Sequence, residues 1–370
     1  MEGEKTIYNF SAGPCILPKE VIRTCQEELL DFKGTGVSVM ELSHRSAEVR
    51  EMVAENEALI RSLLNVPKEY NVFQIQGGAT MQFGAVPLNL LGDKKSANYL
   101  ITGSWSKGAH KDGAKFCNAV QVLKEPLKKY VGCPPVSEWT WDKDAAYFHY
   151  CSNETIYGVE FFDFPYEELG DQILVSDKSS EFMSRPIDVS KYGVVYAGVQ
   201  KNAGMAGIAI TMVRDDLLGN PLDKCPLAMN WTALRDCTDP SGFPTPPPNY
   251  SMYVNGVFMK YMKDKGGIPV FEELSKRKSS LLYDYVDGSG GYYTNPVDVP
   301  MRSTVNVPFR IKCDEKYEAK FLKEAQAEGL IELKGHRTVG GCRASLYNGM
   351  PLEGVEALVS FMKKFKDENP

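Results

Sequence analysis

The chain has 370 residues, of which 43% are hydrophobic and 24% charged, with a formal net charge of −6 at pH 7. That composition excludes a disordered chain and suits a folded protein long enough for two domains. The acidic balance gives no reason to expect a nucleic-acid partner, and no stretch approaches the roughly 20 apolar residues of a membrane-spanning helix.

Nine cysteines, with no CxxC pair and no ligand-like clustering, fit free thiols in a reducing compartment and suggest no metal site. The first thirty residues carry acids early and no long apolar block, so the expectation is a cytoplasmic protein.

Along the chain, Gly13-Pro14 and Leu17-Pro18 punctuate an irregular arm ahead of a helix predicted over residues 19–32. The next segment passes from a short extended piece into a second helix. Ser43 is a plausible cap for it and Ser46 an alternative, and Val49, Met52, Val53, Leu59, Ile60, Leu63 and Leu64 supply its apolar face. From residue 71 the pattern alternates. Strands are predicted at 72–75, 97–102, 119–122, 146–150, 173–175, 194–198 and 208–213, and the first two are followed by helices over 79–91 and from 105 through 115. Pro87 is expected to bend or end the first of these helices. Such alternation predicts an α/β fold whose mostly parallel sheet is flanked by helices.

Residues 237–249 break the pattern with Asp239-Pro240-Ser241-Gly242 and Pro244-Thr245-Pro246-Pro247-Pro248, which must form an extended loop. A helix over 251–265 then leads to a smaller α/β C-terminal domain with helices at 271–285, 315–328 and 352–365. The expected division is a large domain over 16–265 and a small domain made from 1–15 and 266–370.

Two strand ends carry the chemistry. The apolar run Val194-Val195-Tyr196-Ala197-Gly198-Val199 leads through Gln200 into Lys201, and Ile173-Leu174-Val175 ends before Ser176-Asp177. Open α/β sheets bind ligands beyond the carboxyl ends of their strands. A pyridoxal phosphate enzyme needs a lysine to hold the cofactor as a Schiff base and an acid to keep the pyridine nitrogen protonated. Most lone lysines are solvated surface groups, and Asp177 would also serve as a loop or cap acid; the shared context raises the functional reading.

Gly77-Gly78-Ala79-Thr80 stands between a strand and a helix, where free N–H groups suit one phosphate, and no full GxGxxG or P-loop pattern is present. Trp105 follows another strand and suits stacking on a planar ring, with core packing as its bland alternative. Thr155 suits a hydrogen bond to the ring hydroxyl or an ordinary turn. Two of the four histidines precede an arginine, as His44-Arg45 and His336-Arg337. With Arg343 these pairs suit an anionic small-molecule substrate, since guanidinium groups match phosphate and carboxylate through paired hydrogen bonds.

In order and spacing, NFSAGPCILP, ELSHR, QGGATMQFGAVPLNLL, NETIYGVE, SDKSSEFMSRPIDVSKYGVVYAGVQKNAGMAG and GHRTVGGCRASLYNGMPLEGVEAL together resemble the phosphoserine aminotransferase family, class V pyridoxal phosphate enzymes of fold type I. The likeness covers nearly the whole chain. It implies amino transfer between L-glutamate and 3-phosphonooxypyruvate, in serine biosynthesis, by a homodimer with shared active sites, and makes the large domain the cofactor-binding one. Carried over residue by residue, it implies Lys201 as the Schiff-base lysine and Asp177 as the partner of the ring nitrogen. Trp105 and Thr155 would contact the ring, and Gly78, Ala79 and Gln200 would bind the cofactor phosphate, joined by Thr245 from the other subunit. It further implies that His44 and Arg45 of one subunit meet His336, Arg337 and Arg343 of the other, with Arg343 on the substrate α-carboxylate. One position departs: where the family has asparagine before the threonine, this chain has Pro244, which offers neither a side-chain amide nor a backbone N–H. Lys201 and Asp177 alone do not separate amino transfer from a lyase reaction. A catalytically silent dimer of the same fold would retain the glycines and the tryptophan for turns and packing.

Overall fold

The computed structural model describes residues 6–239 and 242–370. Its centre is a seven-stranded sheet: β1 (Tyr70–Gln76), β2 (Ser96–Leu100), β3 (Asn118–Gln121), β4 (Phe148–Cys151), β5 (Leu174–Asp177), β6 (Val194–Gly198) and β7 (Ile208–Arg214). The spatial order is β1-β7-β6-β5-β4-β2-β3. All neighbours pair in parallel except β7, which runs antiparallel to both β1 and β6. β2, β4, β5 and β6 are buried along their whole length. That explains why they read as apolar runs rather than alternating ones.

Helices cover both faces. On one, α1 (Lys19–Glu27), α2 (Ala47–Leu64) and a later helix (Asn249–Asp264) pack together through Val49, Met52, Ile60, Met252, Phe258 and Met259. On the other, α3 (Ala79–Leu90) and α4 (Ser104–Gly113) enclose Phe83, Val86, Ala109, Val175 and Tyr196. Counting on along the chain, the helix over Asn249–Asp264 is α5, followed by α6 (Ile268–Asp287), α7 (Glu315–Ala327) and α8 (Leu352–Glu368). The last three surround a three-stranded antiparallel sheet of β8 (Tyr293–Thr294), β9 (Asn306–Ile311) and β10 (Cys342–Ser345). Their core contains Phe309, Phe321, Leu358, Phe361 and also Phe10 from the N-terminal arm. Tyr8 and Asn9 extend this unit by pairing with Leu330 and Ile331.

Several local expectations change. The first helix stops at Glu27, and residues 32–34 form a 3₁₀ turn instead of continuing it. No strand forms between residues 34 and 42. Ser46, not Ser43, caps α2, accepting from the Val49 N–H at 3.3 Å. Pro87 does not end α3, which continues to Leu90 without an N–H at residue 87. The helix after the proline-rich loop begins at Asn249, directly after Pro248.

Candidate active site

Lys201 lies in the turn that follows β6, and its Nζ donates to Thr155 Oγ1 at 2.7 Å. The same nitrogen sits 4.7 Å from the centre of the Trp105 ring, a cation–π distance. Thr155 follows the short strand Asn153–Glu154 beyond β4, and Trp105 occupies the first turn of α4 beyond β2. The lysine, itself beyond the end of β6, is therefore met by side chains from two other strand ends, at the carboxyl ends where such folds place ligands.

Asp177 closes β5, one strand away. Its Oδ1 accepts the Ser179 N–H at 2.9 Å and the Ser179 hydroxyl at 2.6 Å, an Asx turn that fixes the carboxylate. The acid is thus both a turn residue and a buried charge facing the lysine. Burial raises the Asp177 pKa, and the charge of Lys201 opposes that rise most strongly. Burial likewise lowers the Lys201 pKa, opposed first by Asp177 and then by Cys151 and Glu154. Each group makes the ionised form of the other less costly in a site closed to water.

α3 starts from Gly78 with no side-chain cap, so its first N–H groups remain available. Gly77 has φ +99°, and its N–H donates to Gly207 O at 2.8 Å, which pins the turn entering α3. A Cβ at Gly198 would lie 2.8 Å from Gln200 Oε1 and 3.2 Å from the Ala79 nitrogen. Ala79 and Gln200 therefore converge across a spot that only glycine leaves open.

Arg343, on β10, donates from Nη1 to the Thr155 carbonyl at 3.3 Å, so the small sheet reaches into the same site. Its Nε is buried without a partner, as are Trp105 Nε1 and His44 Nε2. Such orphans are uncommon and identify groups built to meet something else. His336 lies in the turn before β10, its Nδ1 2.8 Å from Thr338 Oγ1. Burial and the charges of Arg343 and Arg337 lower its pKa. Arg337 is exposed.

Among the described residues none of His44, Arg45 and Thr245 has a hydrogen bond or ion pair to Lys201, Thr155, Asp177 or Arg343, while Pro246, Pro247 and Pro248, directly after Thr245, line a cavity with Gly77 and Met81 at the start of α3. Arg45 instead pairs with Asp239 at 2.6 Å. Pro244 and Thr245 line a cavity beside Gln74, Ile75 and Gln76 of β1.

Two of the features that escaped the sequence reading touch the Lys201 turn. The N-terminal arm packs on the lysine: Cys15 N–H donates to the Gln200 carbonyl at 2.9 Å, and a Cβ at Gly13 would approach Lys201 Cγ to 3.3 Å. Asn202 is fully buried and spans the two sheets. Its Nδ2 donates to Ser180 O at 3.0 Å, and its Oδ1 accepts the Asn348 N–H at 2.7 Å. No sequence pattern flags Asn202, whereas the Gly13-Pro14 arm was at least visible as irregular.

A buried lysine beside an aromatic face, a nearby carboxylate, an uncapped helix start and an unpartnered guanidinium nitrogen together fit an aldehyde-bearing aromatic phosphate with an anionic substrate. The class-V aminotransferase family model matches residues 7–358. The chain belongs to that family. It is 47% identical to the phosphoserine aminotransferase of Laribacter hongkongensis over 97% of this chain and 98% of that one. Its fold matches the phosphoserine aminotransferase of Bacillus circulans subsp. alkalophilus with TM-score 0.94 and 38% identity, covering 99% and 100% of the two chains. The pyridoxal phosphate-bound phosphoserine aminotransferase of Trichomonas vaginalis matches with TM-score 0.91 and 36% identity over 97% and 100%. Fold class and cofactor type agree with the sequence expectation, including the mostly parallel sheet and its helical layers. No helix among the described residues is long and apolar enough to cross a membrane.

Proposed function

We infer that this aminotransferase is a pyridoxal phosphate-dependent phosphoserine aminotransferase. It transfers the amino group reversibly between L-glutamate and 3-phosphonooxypyruvate, giving O-phospho-L-serine and 2-oxoglutarate in serine biosynthesis. The observation that carries this reading is the Lys201 amine, 2.7 Å from Thr155 Oγ1 and 4.7 Å from the Trp105 ring centre, in charge contact with buried Asp177.

Bound there, pyridoxal phosphate supplies an aldehyde that condenses with amines and a protonated ring that draws electrons from the substrate Cα. Lys201 would hold the aldehyde carbon. Its burial lowers the cost of the neutral amine, which is the form needed to accept a proton from Cα. Asp177, fixed by Ser179, would keep the ring nitrogen protonated. Trp105 would cover one ring face and Thr155 would serve the ring hydroxyl. The N–H groups at Gly78 and Ala79, with the Gln200 side chain, would hold the phosphate at the start of α3. Arg343 would take the substrate α-carboxylate.

His44 and Arg45 together with His336 and Arg337 would neutralise the distal phosphate or carboxylate. The buried His44 Nε2, which has no hydrogen-bond partner among the described residues, supports a homodimer in which each pocket is completed by the other subunit. Residues 16–265 would form the cofactor-binding domain, and 1–15 with 266–370 the small one, a division in which 1–5 and 240–241 lie outside the described residues. The shared core of Phe10 with Phe309, Phe321 and Phe361 supports that division. Nine unpaired thiols among the described residues support a cytoplasmic setting.

The test follows the two half-reactions separately. The purified protein with pyridoxal phosphate is expected to absorb near about 400 nm, a band absent in Lys201→Ala. Glutamate should discharge that band and 3-phosphonooxypyruvate restore it, with serine and alanine far poorer donors. Arg45→Ala and Arg337→Ala should each raise KM for the phosphorylated substrate by about tenfold or more, the cost of a lost charged hydrogen bond. Equal use of serine and phosphoserine would overturn the substrate assignment.

A further inference from the structure

Two long helices begin at the strand ends beside Lys201, and they are treated differently. α3 begins at Gly78 and has no side-chain cap. α4 also follows a glycine, Gly103, which has no side chain with which to cap it. Yet two N–H groups of its first turn, those of Trp105 and Ser106, are occupied. Trp105 N–H donates to Glu154 Oε2 at 3.0 Å, and Ser106 N–H donates to Glu154 Oε1 at 2.8 Å. The Ser106 hydroxyl lies 2.6 Å from the same Oε1. Glu154 thus does from another strand what an N-cap side chain does locally. Its carboxylate is wholly buried, and a Cβ on Gly103 would overlap it.

Glu154 is also the residue before Thr155. One side chain therefore joins the backbone that presents Thr155 to the backbone that presents Trp105, the two groups between which the Lys201 amine sits. Its charge fills the positive end of α4, where an anion would otherwise be favoured. Of these two helix starts, that of α3 is the one with no carboxylate against its N–H groups.

We propose that Glu154 is a positioning residue for the cofactor: it locks Trp105 and Thr155 into one frame around Lys201 and, by occupying the start of α4, directs the cofactor phosphate to the start of α3. The proposal rests on the pyridoxal phosphate reading above. It requires no contact between Glu154 and the cofactor or the substrate. Burying a carboxylate is costly, and three donors from one helical turn are the compensation the structure provides.

The experiment compares wild type with Glu154→Gln and Glu154→Ala, loaded with pyridoxal phosphate. Glutamine keeps the shape but turns an N–H donor toward backbone donors. The expected result is a cofactor dissociation constant raised by about tenfold, the loss of a charge-assisted hydrogen bond, with a weakened visible circular dichroism band. In Glu154→Ala, added formate or acetate should refill the cavity and restore the band, which the same ions do not do for wild type. Melting of the cofactor-free proteins separates a folding defect from misplacement. If Glu154→Gln does not fold, Ser106→Ala removes one donor and should show a smaller shift in the same direction. An unchanged dissociation constant and dichroism in a folded Glu154→Gln protein would overturn the proposal. Failure of wild type to bind the cofactor at all would instead overturn the reading on which it rests.

Discussion

Lys278 offers a quantitative check on how burial and hydrogen bonding compete in this fold. It lies on α6, is 2% exposed, and its Nζ reaches three backbone carbonyls: Leu346 and Tyr347 at 2.8 Å and Met350 at 3.0 Å. An ammonium has three hydrogens for three acceptors, yet burial pulls its pKa from 10.5 to about 7. Below pH 7 the folded and unfolded states both hold the proton, and the folded state bears the whole cost of a buried charge. Between pH 7 and 10.5 only the unfolded chain holds it, so this lysine's contribution to stability rises with pH. The slope for one proton approaches about 1.4 kcal/mol per pH unit, and because the folded-state lysine is still half protonated at pH 7 the gain between pH 7 and pH 9 is about 2.3 kcal/mol. Lys278→Met removes that proton and takes the ammonium donor from the carbonyls of Leu346, Tyr347 and Met350, of which Tyr347 keeps the Met350 N–H at 2.9 Å. Urea unfolding of the cofactor-free proteins, at one fixed protein concentration, should therefore show wild type gaining on the variant by that amount over those two pH units. A difference that stays constant from pH 7 to pH 9 would refute the reasoning, because it would mean that the carbonyl cage keeps the ammonium charged throughout.

Asp177→Asn keeps the shape of the acid but removes the charge that most opposes burial at Lys201. The pKa of the Lys201 nitrogen in its Schiff base with the cofactor should fall, read from a pH titration of the bound cofactor's absorbance. Turnover should drop by about a hundredfold while cofactor affinity changes far less; near-normal turnover would remove Asp177 from its assigned role. Pro244→Asn introduces an amide where the chain has none, and should tighten cofactor binding by about three- to tenfold, one neutral hydrogen bond, in an equilibrium titration of the protein. Unchanged affinity would show that this position makes no phosphate contact.

The strands were legible because burial on both faces writes them as apolar runs, and residues 194–198 were bounded to the residue. Helix ends were less so. The first helix stops at Glu27 because the next residues turn into a 3₁₀ segment with Lys33 at φ +52°, a local conformation that apolar spacing does not encode. In the site, Lys201, Asp177, Trp105 and Thr155 were legible as strand-end residues of the right chemical types. Glu154 and Asn202 were not, since each works through contacts with backbone far away in sequence, Glu154 with residues 105 and 106 and Asn202 with Ser180 and Asn348. A motif shows residue types, whereas a hydrogen bond across nearly 50 positions depends on the folded sheet.

The reversed strand β7 has a consequence for how the chain tolerates change. Because β7 pairs directly with β6, the reactive lysine sits in residues 199–207, a hairpin connection stitched into the ladder at both ends, with Ala209 opposite Gly198 and Gly77 N–H on Gly207 O. A crossover loop has slack that absorbs an inserted residue; this connection has almost none. Length changes here would shift the register of a central strand or expel the lysine from between Trp105 and Thr155, whereas the proline-rich loop ahead of α5 has no such ladder on either side to disturb.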